Sequence, residues 1–246
     1  IIRATWQSLY KNDSLYTPRF VISNPGKRWK TVIEHENSTY GDIIILPHLE
    51  ETAKVANSIK TVEFFKYLSK QGKRWDFVSK IDEDSFLDPN AYYREYLAPL
   101  LDRKTPASQM RTMIGREMHW PNAEWSWMGG QFYTLTWDLV ELLARLHDKD
   151  PIDDNGEDEL NGRLLFNAKE HWEWVNTPNK VAFDIYANEG SDINGEHTAW
   201  APAGADLDAF SHGVGPGAIN PHKMKEDQEY LDVAACYGKG GLLPPP

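Results

Sequence analysis

The sequence predicts an α/β fold in which helices flank a mixed, mainly parallel β-sheet. Short apolar segments rich in β-branched residues alternate with longer segments of helical periodicity, an order typical of a sheet covered by helices on both faces. One short segment, DIIILP at 42–47, is apolar throughout, as expected of a strand buried on both faces. There is neither an internal repeat nor a clear boundary, so we expect a single domain over 1–237 and a flexible C-terminal tail over 238–246.

Three strands and two helices are predicted in the first part of the chain. RFVIS at 19–23 is apolar and β-branched and ends at an Asn-Pro-Gly turn, so it is the first strand, and the apolar segment described above is the second. Over 50–67, apolar residues recur at helical spacing, which predicts one long helix. WDFVSKI at 75–81 is predicted to be the third strand, and NAYYREYLAPLL at 90–101 the second helix.

The second part of the chain is less regular. MRTMIG at 110–115 and QFYTLT at 131–136 are predicted strands that flank an aromatic segment, and the amphipathic pattern of 137–149 predicts a helix. An acidic loop follows and runs into a further helix, GRLLFNA. The stretch 186–221 is rich in Gly, Pro, Asp and Asn, which predicts a long loop, and 222–237 is the last predicted helix.

Composition and charge exclude several classes of function. The net charge is −11, from 37 acidic and 26 basic residues, which argues against a general nucleic-acid binder. The single cysteine, Cys236, excludes an intrachain disulfide and a thiolate zinc site. No stretch approaches the roughly 20 apolar residues that span a bilayer. There is no signal peptide and the first residue is not Met, so we expect a soluble fragment of a longer protein.

Three consecutive acids, Asp82, Glu83 and Asp84, directly follow the third predicted strand. Open α/β sheets bind ligands at the carboxyl ends of their strands. Carboxylate oxygens suit Mg²⁺ or Mn²⁺, and a diphosphate can complete the coordination shell of either ion. The triplet therefore indicates a divalent cation site. Two other interpretations stay open from the triplet alone: a solvated acidic turn, or an N-cap for the helix that begins at Asn90.

Three further segments are candidates for chemistry. NGEDELNG at 155–162 is acidic, although a solvated loop is the usual explanation of such a charge run. The aromatic segment 119–133 contains three tryptophans, which suit the faces of sugars but more often pack in a core. His222 precedes a Lys at the expected start of a helix, where backbone N–H groups attract anions, whereas a lone His is usually structural.

Several short segments follow one another along the chain: IIRATW at 1–6, YGDIIIL at 40–46, the helix with Lys60-Thr61, FVSKIDEDSFL at 77–87, WMGGQFYTLT at 127–136, GEDELNG at 156–162 and NPHKMK at 220–225. Taken together and in this order, they resemble glycosyltransferase family 31, the β-1,3-galactosyltransferase and fringe-like enzymes with a GT-A fold. The similarity spans nearly the whole chain.

The resemblance implies a role for each group of residues. The metal would be held by Asp82, Asp84 and His222, with Asp84 the better ligand. The residues that would contact the nucleotide sugar and its diphosphate are Lys80, Asp82, Glu83, Asp84, His222 and Lys225. The residues that would contact substrate are Trp127, Gly129, Gly130 and Glu157. Asp158 would be the catalytic base.

The same resemblance implies the reaction and its partners. The cofactor would be Mn²⁺ or Mg²⁺, the donor a UDP-sugar and the acceptor a glycan, with no nucleic acid involved. Asp158 would take a proton from an acceptor hydroxyl, whose oxygen attacks the anomeric carbon with inversion, while the metal stabilises the departing UDP. Galactose is the most frequent donor sugar of the family, and no residue here distinguishes it from N-acetylglucosamine, glucose or galactofuranose.

The chain departs from the family pattern at several places. The central acid of the triplet is Glu83 rather than Asp. Trp127 stands where the family has Tyr, and Glu159 where it has Val, so we expect a different acceptor side. In the family, a strand and loop that help to hold the nucleotide precede the Ile-Arg-x-Thr-Trp signature. The chain begins at that signature, so we expect the first strand of the sheet to be missing here.

Two other functions are compatible with these residues. A non-catalytic carbohydrate- or nucleotide-binding domain of the same fold would bind UDP or sugar without turnover. A metal-dependent phosphoesterase could use the same acids, but a second cluster of His and Asp at metal-ligand spacing is lacking, so it ranks last. By resemblance, the intact protein would be a type II membrane protein with this domain in the Golgi lumen and an anchor outside this fragment. The sequence does not predict the oligomeric state.

Overall fold

The computed structural model describes residues 1–9, 15–122, 124–153, 156–185 and 199–245. In these residues strands and helices combine into a mixed α/β fold, which confirms the predicted fold class. The strands are β1 (Phe20–Asn24), β2 (Ile43–Glu50), β3 (Phe77–Ile81), β4 (Thr112–Met118), β5 (Trp127–Thr136), β6 (Glu173–Asn176), β7 (Ala182–Asp184), β8 (Asn220–His222), β9 (Tyr237–Gly238) and β10 (Gly241–Leu242).

Helices separate most of these strands along the chain. The α-helices are α1 (Gly26–Tyr40), α2 (Ala53–Asn57), α3 (Lys60–Ser69), α4 (Pro89–Tyr92), α5 (Ala98–Leu101), α6 (Trp137–Lys149), α7 (Glu157–Ala168) and α8 (Asp227–Ala235). A π-helical stretch, Tyr93–Leu97, joins α4 to α5. No helix in the described part of the chain is both long enough and apolar enough to cross a membrane.

The central sheet has four strands in the order β3-β5-β4-β6. β5 pairs antiparallel with both β3 and β4, and β4 pairs parallel with β6. Two further parallel pairs are β1 with β2 and β7 with β8, and β9 with β10 is antiparallel. Parallel and antiparallel pairings are therefore equally frequent in the described residues, whereas the sequence predicted mainly parallel ones. Strand-helix alternation could not reveal that β5 enters the sheet between β3 and β4.

Two hydrophobic clusters lie on opposite faces of the central sheet. Successive side chains of a strand point to opposite faces, so Phe132 of β5 belongs to one cluster and Tyr133 to the other. Residues of α4, α5 and α8 complete the first cluster, and residues of α3, α6 and α7 complete the second. Helices thus cover both faces, as predicted.

Several predicted elements differ in detail. The helix predicted over 50–67 is two helices, because the chain leaves the helical region at Ser58, whose hydroxyl donates to the carbonyl of Lys54 at 2.6 Å. Helix α1 was not predicted, because none of its residues is buried and its apolar side chains form no core-facing stripe. The expected tail instead pairs β10 with β9, through a turn in which Gly241 has a φ of 102°.

Helix α7 packs closely against the start of β5, and Gly162 makes this approach possible. A Cβ atom at Gly162 would lie 2.4 Å from the carbonyl oxygen of Ser126 and 3.0 Å from the Cβ of Trp127. Gly162→Ala is therefore expected to lower the free energy of unfolding by about 1–3 kcal/mol, the usual cost of overpacking, despite the better helix propensity of Ala. Chemical denaturation measures the loss. Gly240→Ala is the control, because a Cβ there meets no atom within 4 Å; equal stability of the two variants would contradict the prediction.

Candidate active site

The acidic triplet lies immediately after β3, as predicted. The N–H of Asp82 donates to the carbonyl of Gln131 at 3.0 Å, which attaches this turn to β5. Asp84 is only 8% exposed, whereas Glu83 is exposed. The cap of α4 is Asp88, which accepts from the N–H groups of Asn90 and Ala91 at 3.1 and 3.0 Å. The triplet therefore does not cap the helix, because Asp88 does. Asp84 is also too buried to be part of a solvated turn.

Asp82, Asp84 and His222 form a group that could hold a metal ion, with one potential ligand atom of each lying within 4.8 Å of the others. Backbone hydrogen bonds bring the distant segments together, from the N–H of Phe86 to the carbonyl of Pro221 at 2.9 Å and from the N–H of Met224 to the carbonyl of Asp84 at 3.2 Å. Two carboxylates and an imidazole fit a divalent cation such as Mn²⁺ or Mg²⁺.

His222 reaches this group from a position that differs from the prediction. It is the last residue of the short strand β8, while the helix expected to begin there starts at Asp227, after a capping box formed by Glu226 and Glu229. His222 therefore does not lie at a helix N-terminus, and the anion site predicted there is absent at this residue. Its imidazole lies instead with Nε2 3.5 Å from Oδ1 of Asp84.

Cations around Asp84 keep its carboxylate ionised. Burial alone would raise the pKa of Asp84, but hydrogen bonds from His222 and Lys225 outweigh burial and hold the pKa well below its usual range. The ammonium group of Lys225 contacts Oδ2 of Asp84 directly, while most of the Lys225 side chain remains exposed. Lys225 therefore places a positive charge at the edge of the Asp82–Asp84–His222 group.

Asp184 is a site residue that the sequence analysis missed. It is 3% exposed and accepts a hydrogen bond at 2.8 Å from Nδ1 of His222. Lys223 Nζ lies 2.8 Å and Arg116 Nη2 3.4 Å from its carboxylate. Burial raises the pKa of Asp184, but these partners together lower it to about 2. The available signal was an apolar run ending in an acid, VAFD, which repeats the pattern of FVSKID at the end of β3.

Asp158 occupies the first turn of α7 rather than a loop. The sequence placed the helix start after the acidic run, but α7 begins at Glu157, because three acids in the first turn interact favourably with the positive end of the helix dipole. The N–H of Gly130 donates to Oδ2 of Asp158 at 3.1 Å, and the N–H of Glu159 donates to Oδ1 at 2.9 Å. A Cβ at Gly130 would lie 3.3 Å from Oδ2, so glycine keeps this carboxylate uncrowded.

Lys80 connects Asp82 with the start of α7. Its ammonium group lies 2.6 Å from Oδ1 of Asp82 and 2.5 Å from both Oε1 of Glu157 and the carbonyl oxygen of Gly130. Burial lowers the pKa of Lys80, but the carboxylates of Glu157 and Asp82 raise it by more, so the side chain is charged. Since Gly130 also donates to Asp158, one partly buried cation joins the Asp82–Asp84–His222 group to the predicted base.

Glu157 is a buried partner of Lys80, whereas the sequence predicted that it contacts substrate. It is 8% exposed and accepts from the hydroxyl of Tyr133 at 2.9 Å. The amide of Asn161, one turn further along α7, donates to the same hydroxyl at 2.9 Å. The sequence named Glu157 but neither Tyr133 nor Asn161 as a site residue.

The remaining predicted substrate residues lie on β5. Trp127 is 5% exposed and its ring centroid is 5.7 Å from that of Trp120, which is 59% exposed. The ring of Trp120 is therefore accessible to solvent, while the buried ring of Trp127 packs against it. Gly129 is buried against β4, where a Cβ would lie 3.5 Å from Cγ of Met118.

Comparisons with known proteins give one family match and a distant similarity to a solved structure. The sequence profile of the family described as "Galactosyltransferase" matches residues 1–169. No curated protein matches the chain. Among solved structures, the chain is similar to one described as "a glycosyltransferase involved in the glycosylation of the major capsid of PBCV-1", with 10% identity and a TM-score of 0.40 over 87% of this chain and 97% of that one.

Proposed function

The chain belongs to the galactosyltransferase family, and from this premise we propose that it is an inverting, metal-dependent glycosyltransferase. In the proposed reaction a hexose, which we take to be galactose, moves from a UDP-sugar to a hydroxyl of a glycan. The observation that carries the proposal is the Lys80 bridge. It joins a metal-ligand group, Asp82 with Asp84 and His222, to a carboxylate at the start of a helix, Asp158. A transferase of this kind needs both parts in one site.

The metal part of the proposal assigns Asp82, Asp84 and His222 as ligands. When bound there, a divalent cation would supply Lewis-acid stabilisation of the negative charge on a departing diphosphate. Lys225 lies beside this group with most of its side chain exposed, so its ammonium can pair with a phosphate oxygen. Glu83 is exposed outside the group and can contact the nucleotide only from the rim.

Asp158 supplies the base in the proposed reaction. Its half-buried carboxylate is held by two backbone N–H groups, those of Gly130 and Glu159, and stays open to one side. The proton of an acceptor hydroxyl passes to Asp158 as that oxygen forms a bond to the anomeric carbon. The bond from the anomeric carbon to the diphosphate breaks in the same displacement, and UDP leaves with the electron pair.

Donor, acceptor and location are the finer parts of the proposal. The description of the family supports galactose as the proposed donor sugar. The exposed face of Trp120 supports a sugar acceptor, because flat aromatic rings pack against the apolar faces of sugars. We place the intact protein in the Golgi lumen as a type II membrane protein, on the basis of the family resemblance alone.

Calorimetric titration of UDP tests the donor side. We expect UDP to bind in the presence of Mn²⁺ and not in EDTA, and we expect Asp84→Asn to remove the metal-dependent part, because it neutralises the buried ligand. Asp102→Asn, which removes an exposed acid at the end of α5, is the control and should bind UDP normally. UDP binding that is unchanged by EDTA would exclude the metal-dependent mechanism. Turnover is tested separately, by measuring the release of UDP from UDP-galactose in the presence of a glycan acceptor.

A further inference from the structure

Among the acids that the structure describes outside the residues assigned above, Asp184 has the most ion-pair partners, namely Arg116, His222 and Lys223. It ends β7, which pairs in parallel with β8 in a register that sets Asp184 opposite His222. The backbone at this position is fixed from the other side as well. Its N–H donates to the carbonyl of Phe210 at 3.2 Å, and its own carbonyl accepts from the N–H of His212 at 3.1 Å and from the hydroxyl of Ser211 at 3.0 Å. These hydrogen bonds hold the backbone of Asp184 in place, so its carboxylate can orient a neighbouring side chain.

The contact between Asp184 and His222 determines which ring nitrogen keeps its proton when the imidazole is neutral, the form that binds a metal ion. An ionised carboxylate only accepts hydrogen bonds, so the His222 Nδ1 that lies 2.8 Å from Oδ1 of Asp184 must be the donor. The other ring nitrogen, Nε2, then points away from Asp184 towards Asp84, at 3.5 Å from Oδ1. This is the orientation in which a neutral imidazole offers its lone pair to a metal ion.

Asp184 is not itself placed as a ligand. One of its oxygens, Oδ1, is occupied by His222 and Arg116, and the other, Oδ2, by Lys223 at 2.8 Å. It also lies outside the group whose ligand atoms converge, which contains Asp82, Asp84 and His222. Asp184 therefore acts on the group through one hydrogen bond to one ligand.

We propose that Asp184 is a positioning residue of the metal site, which holds His222 with Nδ1 protonated and Nε2 directed at the ion bound by Asp84. This inference rests on the metal-dependent part of the proposed function and adds to it a residue that none of the sequence motifs contains. Carboxylates that orient a metal-bound histidine typically contribute about 10- to 100-fold to metal affinity. The same loss is expected here when the carboxylate is removed.

Metal affinity without any sugar substrate is the first test. Mn²⁺ is titrated into the full chain and free Mn²⁺ is followed by electron paramagnetic resonance. We expect Asp184→Asn to weaken Mn²⁺ binding by about 10- to 100-fold. Asp88→Asn is the matched control, because Asp88 is equally buried, at 2% against 3% exposure, but caps α4 and does not contact His222. Thermal denaturation of both variants identifies the temperature range in which each is folded.

A double-mutant cycle separates positioning from a structural role. If Asp184 acts through His222, Asp184→Asn costs no further Mn²⁺ affinity in a chain that already carries His222→Ala. An equal cost in both backgrounds, or no cost in the wild-type background, would overturn the proposed role of Asp184 while leaving the proposed transferase reaction intact. Mn²⁺ binding that does not depend on His222 at all would overturn this inference and the assignment of His222 as a ligand, while Asp82 and Asp84 could still hold the ion. The metal-dependent mechanism itself fails on a different result, UDP binding that EDTA does not change.

The tautomer of His222 is a readout that needs no metal. Long-range ¹H–¹⁵N correlation spectra, with His222 assigned by comparison with His222→Ala, report which ring nitrogen is protonated when the imidazole is neutral. We expect the Nδ1–H form in the wild-type chain and a shift towards the Nε2–H form in Asp184→Asn. The Nε2–H form in the wild-type chain would overturn the proposal.

Discussion

Replacing Asp158 by Asn is expected to lower the rate of glycosyl transfer by about 10²–10⁴-fold, the usual contribution of a general base. Asparagine has nearly the same shape and retains an oxygen that can accept from the N–H of Gly130 or Glu159, the two bonds that hold the carboxylate in place. It cannot take up the proton of the acceptor hydroxyl. The loss should therefore appear in kcat, while the affinities for Mn²⁺ and UDP stay close to those of the wild-type chain.

The comparison of turnover with binding identifies the role of Asp158. Initial rates of UDP release with a glycan acceptor are measured beside calorimetric UDP affinity for the wild type, Asp158→Asn and Asp153→Asn. Asp153 is an exposed acid of the preceding loop that pairs with Lys54 on the surface, so its variant should transfer normally. A wild-type rate for Asp158→Asn would exclude this residue as the base. Wild-type UDP binding with no transfer to any acceptor would favour the non-catalytic binding domain.

Local sequence patterns were sufficient to predict the strand that ends at the acidic triplet and the amphipathic helix α6. The apolar run of β3 ends in Asp82 and the amphipathic pattern of α6 is long and regular, and both are present as predicted. Such patterns succeed because burial of one strand face or one helix stripe is a local property. The position of the acidic triplet at the end of a strand followed from the same reasoning.

The parts of the site that the sequence could not predict depend on contacts between distant segments. β7 and β8 have three residues each, which is too short for a recognisable period, so His222 was assigned to a helix and Asp184 was not noticed. The start of α7 was placed too late because a run of three acids suggests a solvated loop. In the structure the first of them, Glu157, is buried against Lys80. A charge can be buried only beside its counterion, and no local pattern identifies a partner that is far away in the chain.

Removing the partly buried ammonium group of Lys80 should have the largest effect on stability. Lys80→Met is expected to lower the free energy of unfolding by about 3–5 kcal/mol, because it leaves the carboxylate of Glu157 buried without its counterion. Lys54→Met is the matched control. It breaks the exposed pair with Asp153, for which about 0–1 kcal/mol is expected. Urea denaturation at neutral pH measures both differences.

A compensating change distinguishes a buried ion pair from simple loss of packing. Glu157→Gln in the Lys80→Met chain replaces the unpaired carboxylate by a neutral group of the same shape that can still accept from the hydroxyl of Tyr133. The double variant should therefore recover most of the stability that the single variant loses. It should not recover glycosyl transfer, because Asp82 and the carbonyl of Gly130 both still lack the ammonium group that joins them. If the second substitution adds to the loss of stability instead, the pair is not the reason for the burial of Lys80. If transfer returns with stability, the Lys80 bridge supports the fold alone, and the metal-ligand group and Asp158 hold their positions without it.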